Sequence, residues 1–449
     1  MFKQLFVPIL LGVLSSSAFG GAFQLFEHGA GAIGSAATNQ VEAKDASAIF
    51  WNPAALSFLP DGSTSAAFHL ILPTGKFVNT SSTTTIGNTP ISGNNGGDPG
   101  SLSPAASIYY ASRLSSDISY GLSVTAPFGL GVDYDDAWQG RYHALKAGLI
   151  NLDIGLSGAY RLNPSLTLGL GADVQYARST FSSAVDLSTV CIATAVSVPG
   201  LLGQCAASGF TTPGNINTDG KSTVTGDSWA PGWNAGLIWH PSSDFRLGVS
   251  YRSKVTHHLR GDVKNIKPSN LPSTVNNLVA LTDTGIRSTL VLPESASVST
   301  YFQASDKIGL MASATWVRWS HLSELRTQYD NGAADTVVPL RWENTWRVGV
   351  GISYQATPSL SLRGGLSFDQ SPTTSPSFQS LFVPDANRWV AGLGASFVLS
   401  DKSSIDVGYT AYAFQRVQVE SNSAVAGAFQ GTFPHSYIHA LSIQYNTRF

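Results

Sequence analysis

Residues 165–177 read Ser165-Leu166-Thr167-Leu168-Gly169-Leu170-Gly171-Ala172-Asp173-Val174-Gln175-Tyr176-Ala177. Bulky apolar side chains occupy the even positions Leu166, Leu168, Leu170, Val174 and Tyr176, whereas Thr167, Gly169, Gly171, Asp173 and Gln175 occupy odd ones. Successive side chains of a strand point to opposite faces, so this stretch is a strand with one greasy and one polar face. Residues 152–160 repeat it, with Leu152, Ile154, Leu156 and Tyr160 opposite Asp153, Gly155 and Ser157. In 245–252, Phe245, Leu247, Val249 and Tyr251 oppose Arg246, Gly248, Ser250 and Arg252, which puts two arginines on the polar side. Leu360, Leu362, Leu366 and Phe368 likewise oppose Ser361 and Arg363.

Extending this reading outward predicts strands near 64–72, 105–113, 117–134, 150–161, 165–178, 229–239, 244–254, 294–304, 307–318, 345–355, 360–369, 388–399, 404–414 and 437–449. Short turns such as Arg161-Leu162-Asn163-Pro164, His240-Pro241-Ser242-Ser243 and Thr357-Pro358-Ser359 alternate strictly with long loops. An even number of strands with both ends on the short-turn side is the layout of a bacterial transmembrane barrel. The expected fold is all-β, a fourteen-stranded antiparallel transmembrane β-barrel over residues 62–449.

Composition points the same way. Only 12% of residues are charged, against about 25% in soluble proteins. Ten Trp, 15 Tyr and 22 Phe accompany 44 Gly, a mixture suited to aromatic girdles and close backbone pairing. A soluble β-sandwich would also alternate, but would carry more outward charge. Residues 1–20 read as a secretory signal, with Lys3, the apolar run Leu5 to Leu14 and the small-x-small site Ala18-Phe19-Gly20, so the mature chain is expected to begin near Gly21. Beyond it no apolar run reaches the roughly 18 residues of a membrane helix. The last strand ends on Phe449, which shares its parity with Leu441, Ile443 and Tyr445. A net charge of −2 gives no sign of nucleic-acid binding.

Residues 21–61 do not alternate, are rich in Gly and Ala, and are long enough to plug a lumen. Cys191 and Cys205 are the only cysteines, and in an exported protein they are expected to be bonded. Closing so short a loop contributes on the order of 3 kcal/mol of local ordering. The segment 179–228 carries Leu201, Leu202 and Phe210, and 255–293 carries Leu278, Val279 and Leu281, which is too apolar for free loops. A ligand groove and a mutually packed cap share this composition. Pro127 cannot donate a ladder hydrogen bond and Gly129 weakens pairing further, so the third strand either kinks or ends at Pro127-Phe128-Gly129.

Catalytic and cofactor motifs are missing. Gly29-Ala30-Gly31-Ala32-Ile33-Gly34 fits a dinucleotide fingerprint, but neither a preceding strand nor a βαβ unit accompanies it. There is no H-E-x-x-H or G-x-S-x-G, and the nine histidines are scattered apart from His257-His258, expected in an exposed loop. No enzyme, cofactor or metal is expected.

Three blocks carry a resemblance: Phe23-Gln24-Leu25; Asp45-Ala46-Ser47 with Phe50-Trp51-Asn52-Pro53-Ala54; and Ala126-Pro127-Phe128-Gly129 with Trp138-x-Gly140-Arg141-Tyr142. Together they resemble the long-chain fatty-acid and toluene transporter family of outer membranes, from about residue 21 to Phe449. The resemblance implies a barrel of fourteen strands holding an N-terminal hatch that includes Asn52, Pro53 and Ala54. It also implies substrate capture by extracellular loops, transfer to an inner pocket, and exit through a gap in the wall near Pro127, Phe128 and Gly129. Arg326 resembles a basic position of fatty-acid carriers, with an exposed loop arginine as the alternative. The second basic position has no counterpart after Arg178, where the chain reads Ser179-Thr180-Phe181-Ser182-Ser183, so neutral hydrocarbons stay open beside fatty acids. The expected function is passive, cofactor-free transport of a hydrophobic compound by a monomer. Outer-membrane lipids and the barrel assembly machinery are its implied partners. An aqueous porin and a surface adhesin are the rival readings.

Overall fold

A computed structural model describes residues 21–449. The signal segment expected at 1–20 lies outside the described residues. Fourteen antiparallel strands form a ring: β1 (Ser63–Gly75), β2 (Ser103–Arg113), β3 (Ile118–Thr125), β4 (Lys146–Asn163), β5 (Leu166–Asp186), β6 (Asp219–Ser242), β7 (Phe245–Arg252), β8 (Ser295–Ser305), β9 (Ile308–Val317), β10 (Thr345–Thr357), β11 (Leu360–Asp369), β12 (Arg388–Ser400), β13 (Ser403–Phe414) and β14 (Ser436–Arg448). Each strand pairs with its successor, and β1 closes on β14 from Ser63↔Arg448 to Gly75↔Ser436. Closure into a ring is what lets a sheet cross lipid, where open edges would leave backbone groups unsatisfied.

The alternation decides which face meets lipid. Along β5, Leu168, Leu170 and Val174 are exposed, while Thr167, Asp173 and Gln175 are buried inside. Along β6, Trp229, Trp233 and Trp239 stand on the outer face and Asn234 and Ile238 turn inward. This inverts a soluble protein, as expected where the outer solvent is hydrocarbon flanked by interfacial aromatics.

Several strands run further than their apolar pattern. β5 continues to Asp186 and β6 begins at Asp219, pairing Ser179↔Gly226 and Ser182↔Thr223. These extensions are Ser- and Thr-rich on both faces, so no contrast marked them. Segments expected to be loop also pair. Val255–Ile266 joins upper β6 and Thr284–Leu292, which adjoins Glu324–Tyr329 and then Thr336–Pro339, raising the wall on one side. The histidine pair lies on this raised wall rather than in a loop: His257 is buried beside Ser228 and His258 is exposed. The stretch expected as one strand, 117–134, is two, β3 and Gly129–Asp133.

Residues 21–59, nearly all buried, run inside the ring. A short helix, Ala30–Gly34, lies against β12 and β13, where a β-carbon at Gly392 or Gly408 would strike its backbone. A second helix, Ala48–Trp51, leads into a 3₁₀ turn, Pro53–Phe58, against β4, β5 and β6.

Candidate functional site: an apolar cavity, a plug and a break in the wall

An apolar cavity lies beneath the raised wall. Leu149, Ser179, Phe181 and Val224 reach it from β4 to β6, Leu259, Ile286, Leu290, Leu325 and Thr327 from the raised wall, and Leu340, Trp342 and Phe23 are among the other residues that line it. No charged side chain lines it. Five arginines nevertheless sit beside lining residues in sequence: Arg178 before Ser179, Arg260 after Leu259, Arg287 after Ile286, Arg326 between Leu325 and Thr327, and Arg341 between Leu340 and Trp342. All five are exposed. On the strands, alternation turns each arginine away as its neighbour turns in. At Arg341 a left-handed backbone (φ 48°) does the same, stacking the guanidinium over Phe378.

Arg326 is therefore not brought to the cavity. Its guanidinium is paired with Glu324 (2.7 Å) and Asp335 (2.9 Å) on the outer side. The loop residues also lie elsewhere. Leu201, Phe210 and Leu281 are buried with Leu187, Leu271 and Val275 around the Cys191–Cys205 bond, Leu278 packs against them, and Leu202 is exposed. Of the two readings of these loops, the arrangement is the mutually packed cap.

The inner segment meets the cavity at Phe23. Its ring touches Trp319 (centroids 5.0 Å apart), Trp342 (5.9 Å) and Phe128 (6.0 Å). Phe128 belongs to a break in the wall. β3 pairs with β4 up to Thr125↔Asp153, and pairing resumes at Gly129↔Ile150. Three residues, Ala126, Pro127 and Phe128, thus oppose two, the signature of a bulge. Their hydrogen bonds go inward instead: Leu25 N–H donates to the Pro127 carbonyl (2.9 Å) and Gly129 N–H to the Phe23 carbonyl (2.9 Å). On the other flank, β2 pairs with β1 as far as Ser103↔Ile71, but with β3 only as far as Ile108↔Val124. The upper half of β2 and the bulge thus bound a gap whose inner side is occupied by residues 23–25.

Asn52 anchors the far end of the inner segment. Its Oδ1 accepts from Ala54 N–H (3.0 Å), and its Nδ2 donates to the carbonyls of Leu237 (3.3 Å) and Val249 (3.2 Å), partners across β6 and β7. A β-carbon at Gly236 would overlap the Asn52 carboxamide, and one at Gly169 the Ala54 backbone, so glycine is what lets this turn touch the wall. Wall arginines fasten the rest: Arg246 donates to Glu42 O (2.6 Å), Arg252 to Phe50 O (3.0 Å), Arg347 to Ala36 O (3.1 Å) and Arg161 to Ser57 O (3.1 Å). Arg246 and Arg252 thus point inward, as their parity on β7 implied.

A family model described as outer membrane protein transport protein (OMPP1/FadL/TodX) matches residues 11–449. The chain belongs to this family. It is an outer-membrane transport barrel. A long-chain fatty acid transport protein of Escherichia coli O6:H1 is 25% identical over 441 residues, covering 96% of this chain and 95% of the relative. Among solved structures, a Pseudomonas aeruginosa FadL homologue superposes with a TM-score of 0.83 at 22% identity, covering 95% of this chain and all of the other. The toluene transporter TodX of Pseudomonas putida superposes at 0.67 with 18% identity, covering 94% and 98%. These structural likenesses speak for the fold shared by the family.

Sequence reasoning missed Phe23 as a cavity residue and missed Trp319, Trp342, Ile286 and Leu325. The last two carried a usable signal, the apolar parity of 286–290 and the alternation of Leu325 and Thr327 around Arg326. Phe23 carried none, because only the fold brings it there.

Proposed function

We propose that the chain passes uncharged hydrophobic molecules, of which small aromatic hydrocarbons are the best-fitting class, from the cavity past Phe23 and out sideways through the break at Pro127-Phe128-Gly129. The observation that supports this reading is the cavity's charge-free lining, with Phe23 standing between it and the break. A relative's name speaks of long-chain fatty acids and a neighbour's of toluene. Magnitudes favour the second class here. A carboxylate buried without a partner costs several kcal/mol, as much as roughly five buried methylenes return at about 0.8 kcal/mol each. The hydroxyls of Ser179 and Thr327 can serve a neutral polar group but cannot balance a charge.

Residues 21–61 act as the hatch, and their filling of the lumen speaks against an aqueous porin. The route needs no nucleotide, metal or catalytic group, only a gradient, and one copy of the chain contains all of it, in keeping with a monomer seated in outer-membrane lipid by the barrel assembly machinery.

The test compares toluene with p-toluate, the same ring and methyl bearing a carboxylate, on the detergent-purified barrel by titration calorimetry. Toluene should bind at least tenfold tighter at pH 8, where p-toluate is ionised. Tighter p-toluate binding would overturn the neutral-substrate reading, and binding of neither would overturn the cavity as the ligand site.

A further inference from the structure

Of the arginines that strand alternation turns away from the cavity, three share one rung of the outer wall. Arg178 of β5 is opposite Asp227 of β6, and Asp227 is opposite Arg260 on Val255–Ile266. Arg260 is in turn opposite Arg287 on Thr284–Leu292, and Arg287 is opposite Gln328 on Glu324–Tyr329. All five side chains are exposed. The rung lies directly above an aromatic belt on the side of the long loops. Tyr176 and Trp229, opposite each other with ring centroids 5.2 Å apart, are the next outward-facing residues below Arg178 and Asp227. Below them Leu170, Val174 and Trp233 are exposed on the same outer face. Such a belt marks the boundary between hydrocarbon and headgroups, so the rung stands at the level of the lipid headgroups.

The charges of this rung do not satisfy one another. Like charges on directly opposite residues repel, and Arg260 faces Arg287. Arg287 is held by Asp330 (2.7 Å). Among the described residues, the guanidinium groups of Arg178 and Arg260 have neither an ion-pair nor a hydrogen-bond partner, and Asp227, opposite both, is bonded to neither. By contrast Arg326 is paired with Glu324 and Asp335 (2.7 and 2.9 Å), and Arg341 lies over Phe378. His258, exposed one outward step below Arg260, adds an imidazole to the same surface.

We propose that this rung binds a phosphorylated glycolipid of the outer leaflet, with phosphate oxygens on the Arg178 and Arg260 forks and acyl chains along the apolar belt beneath. Guanidinium forks match phosphate geometry in a way that a point charge does not. The height of the rung selects a lipid, because a free anion would leave the surface of Val174, Leu170 and Trp233 unused. Asp227 narrows the choice further. Standing between the two forks, it repels a single anion shared by both and suits two separate phosphates, one at each arginine. Those arginines are two strands apart, about 10 Å between backbones, which fits a disaccharide phosphorylated at both ends.

The experiment uses the full-length barrel purified in detergent, with Arg178→Gln/Arg260→Gln as the rung variant. Arg341→Gln/Arg416→Gln removes the same charge from exposed arginines elsewhere and is the control. Native mass spectrometry follows binding of bis-phosphorylated lipid A, of its dephosphorylated form and of phosphatidylglycerol, with inorganic phosphate as competitor. The parent should prefer bis-phosphorylated lipid A to both other lipids and keep it in excess phosphate. The rung variant should bind it roughly tenfold more weakly or worse, and the control as the parent does. Parental affinity in the rung variant, or an equal loss in both variants, would overturn the site. Displacement by inorganic phosphate would reduce it to an anion site without a lipid and overturn the proposal. The parent's own preference decides the matter even if the rung variant fails to fold, because equal binding of phosphorylated and dephosphorylated lipid A contradicts a phosphate site.

Discussion

Gln24 and Phe128 face each other across an isolated antiparallel bridge, so a residue from the interior of the barrel takes the place that a wall strand would otherwise fill. The bridge lies where three residues of the chain after β3 oppose two of β4, and where Pro127 lacks an N–H to give. One piece of chain thereby closes the gap and, through Phe23, forms part of the cavity.

Charge in the cavity should be set by strand parity. Thr327→Arg places a guanidinium inside, and it should raise p-toluate affinity at least tenfold through charge-assisted hydrogen bonds while weakening toluene. Arg326→Ala, one residue away but outside, should change neither by more than about twofold. Calorimetry on both variants checks this, and an Arg326→Ala variant that selectively lost p-toluate would show that the arginine reaches the ligand.

Asn52→Ala removes three hydrogen bonds at once. At roughly 1 kcal/mol each, the turn Pro53–Phe58 should loosen by about 2–3 kcal/mol. Limited proteolysis should then cut within residues 40–60 at rates that leave the barrel strands intact. Asn52→Asp should be as damaging, because a carboxylate cannot donate to the carbonyls of Leu237 and Val249.

Much of this fold could be read from the sequence, and the exceptions have physical causes. Alternation located the fourteen strands because hydrocarbon outside and a polar lumen inside impose opposite demands on neighbouring residues. It also turned Arg246 and Arg252 to the inner face of the barrel. It failed for the upper parts of β5 and β6, where Ser183, Ser222 and Thr223 are partly exposed and neither face has to be greasy. For the site, the same alternation would have turned Arg326 away from Leu325, but family likeness drew it toward the ligand instead. Phe23 meets Trp319 and Trp342 only through contacts between residues about 300 positions apart, which no local pattern records.

His143 gives the packing of its loop against residues 417–433 a pH dependence. Its ring packs against Phe429 (centroids 5.3 Å apart), with Nδ1 at 3.3 Å from Ser421 Oγ, and removal from water pushes its pKa down to about 4. The unfolded loop binds this proton near pH 6.5, so between about 6.5 and 4 the open form holds more protons than the packed one. The packing is therefore fully stable above that window and weakens as pH falls through it. Hydrogen exchange of residues 417–433 should accelerate from pH 7 to pH 4.5 beyond its intrinsic pH dependence. His143→Gln, which cannot titrate, should remove the excess, and an unchanged pH profile in that variant would assign the effect to another group.

The central claim is that the break in the wall is the exit and the N-terminal residues are its stopper. Because Gln24 and Phe128 are bridge partners, Gln24→Cys/Phe128→Cys can be oxidised to bolt the stopper in place. Toluene efflux from proteoliposomes should stop in the oxidised double variant and return on mild reduction, with the parent barrel unaffected by either treatment. Parental efflux through the bolted barrel would place the exit elsewhere and contradict the account.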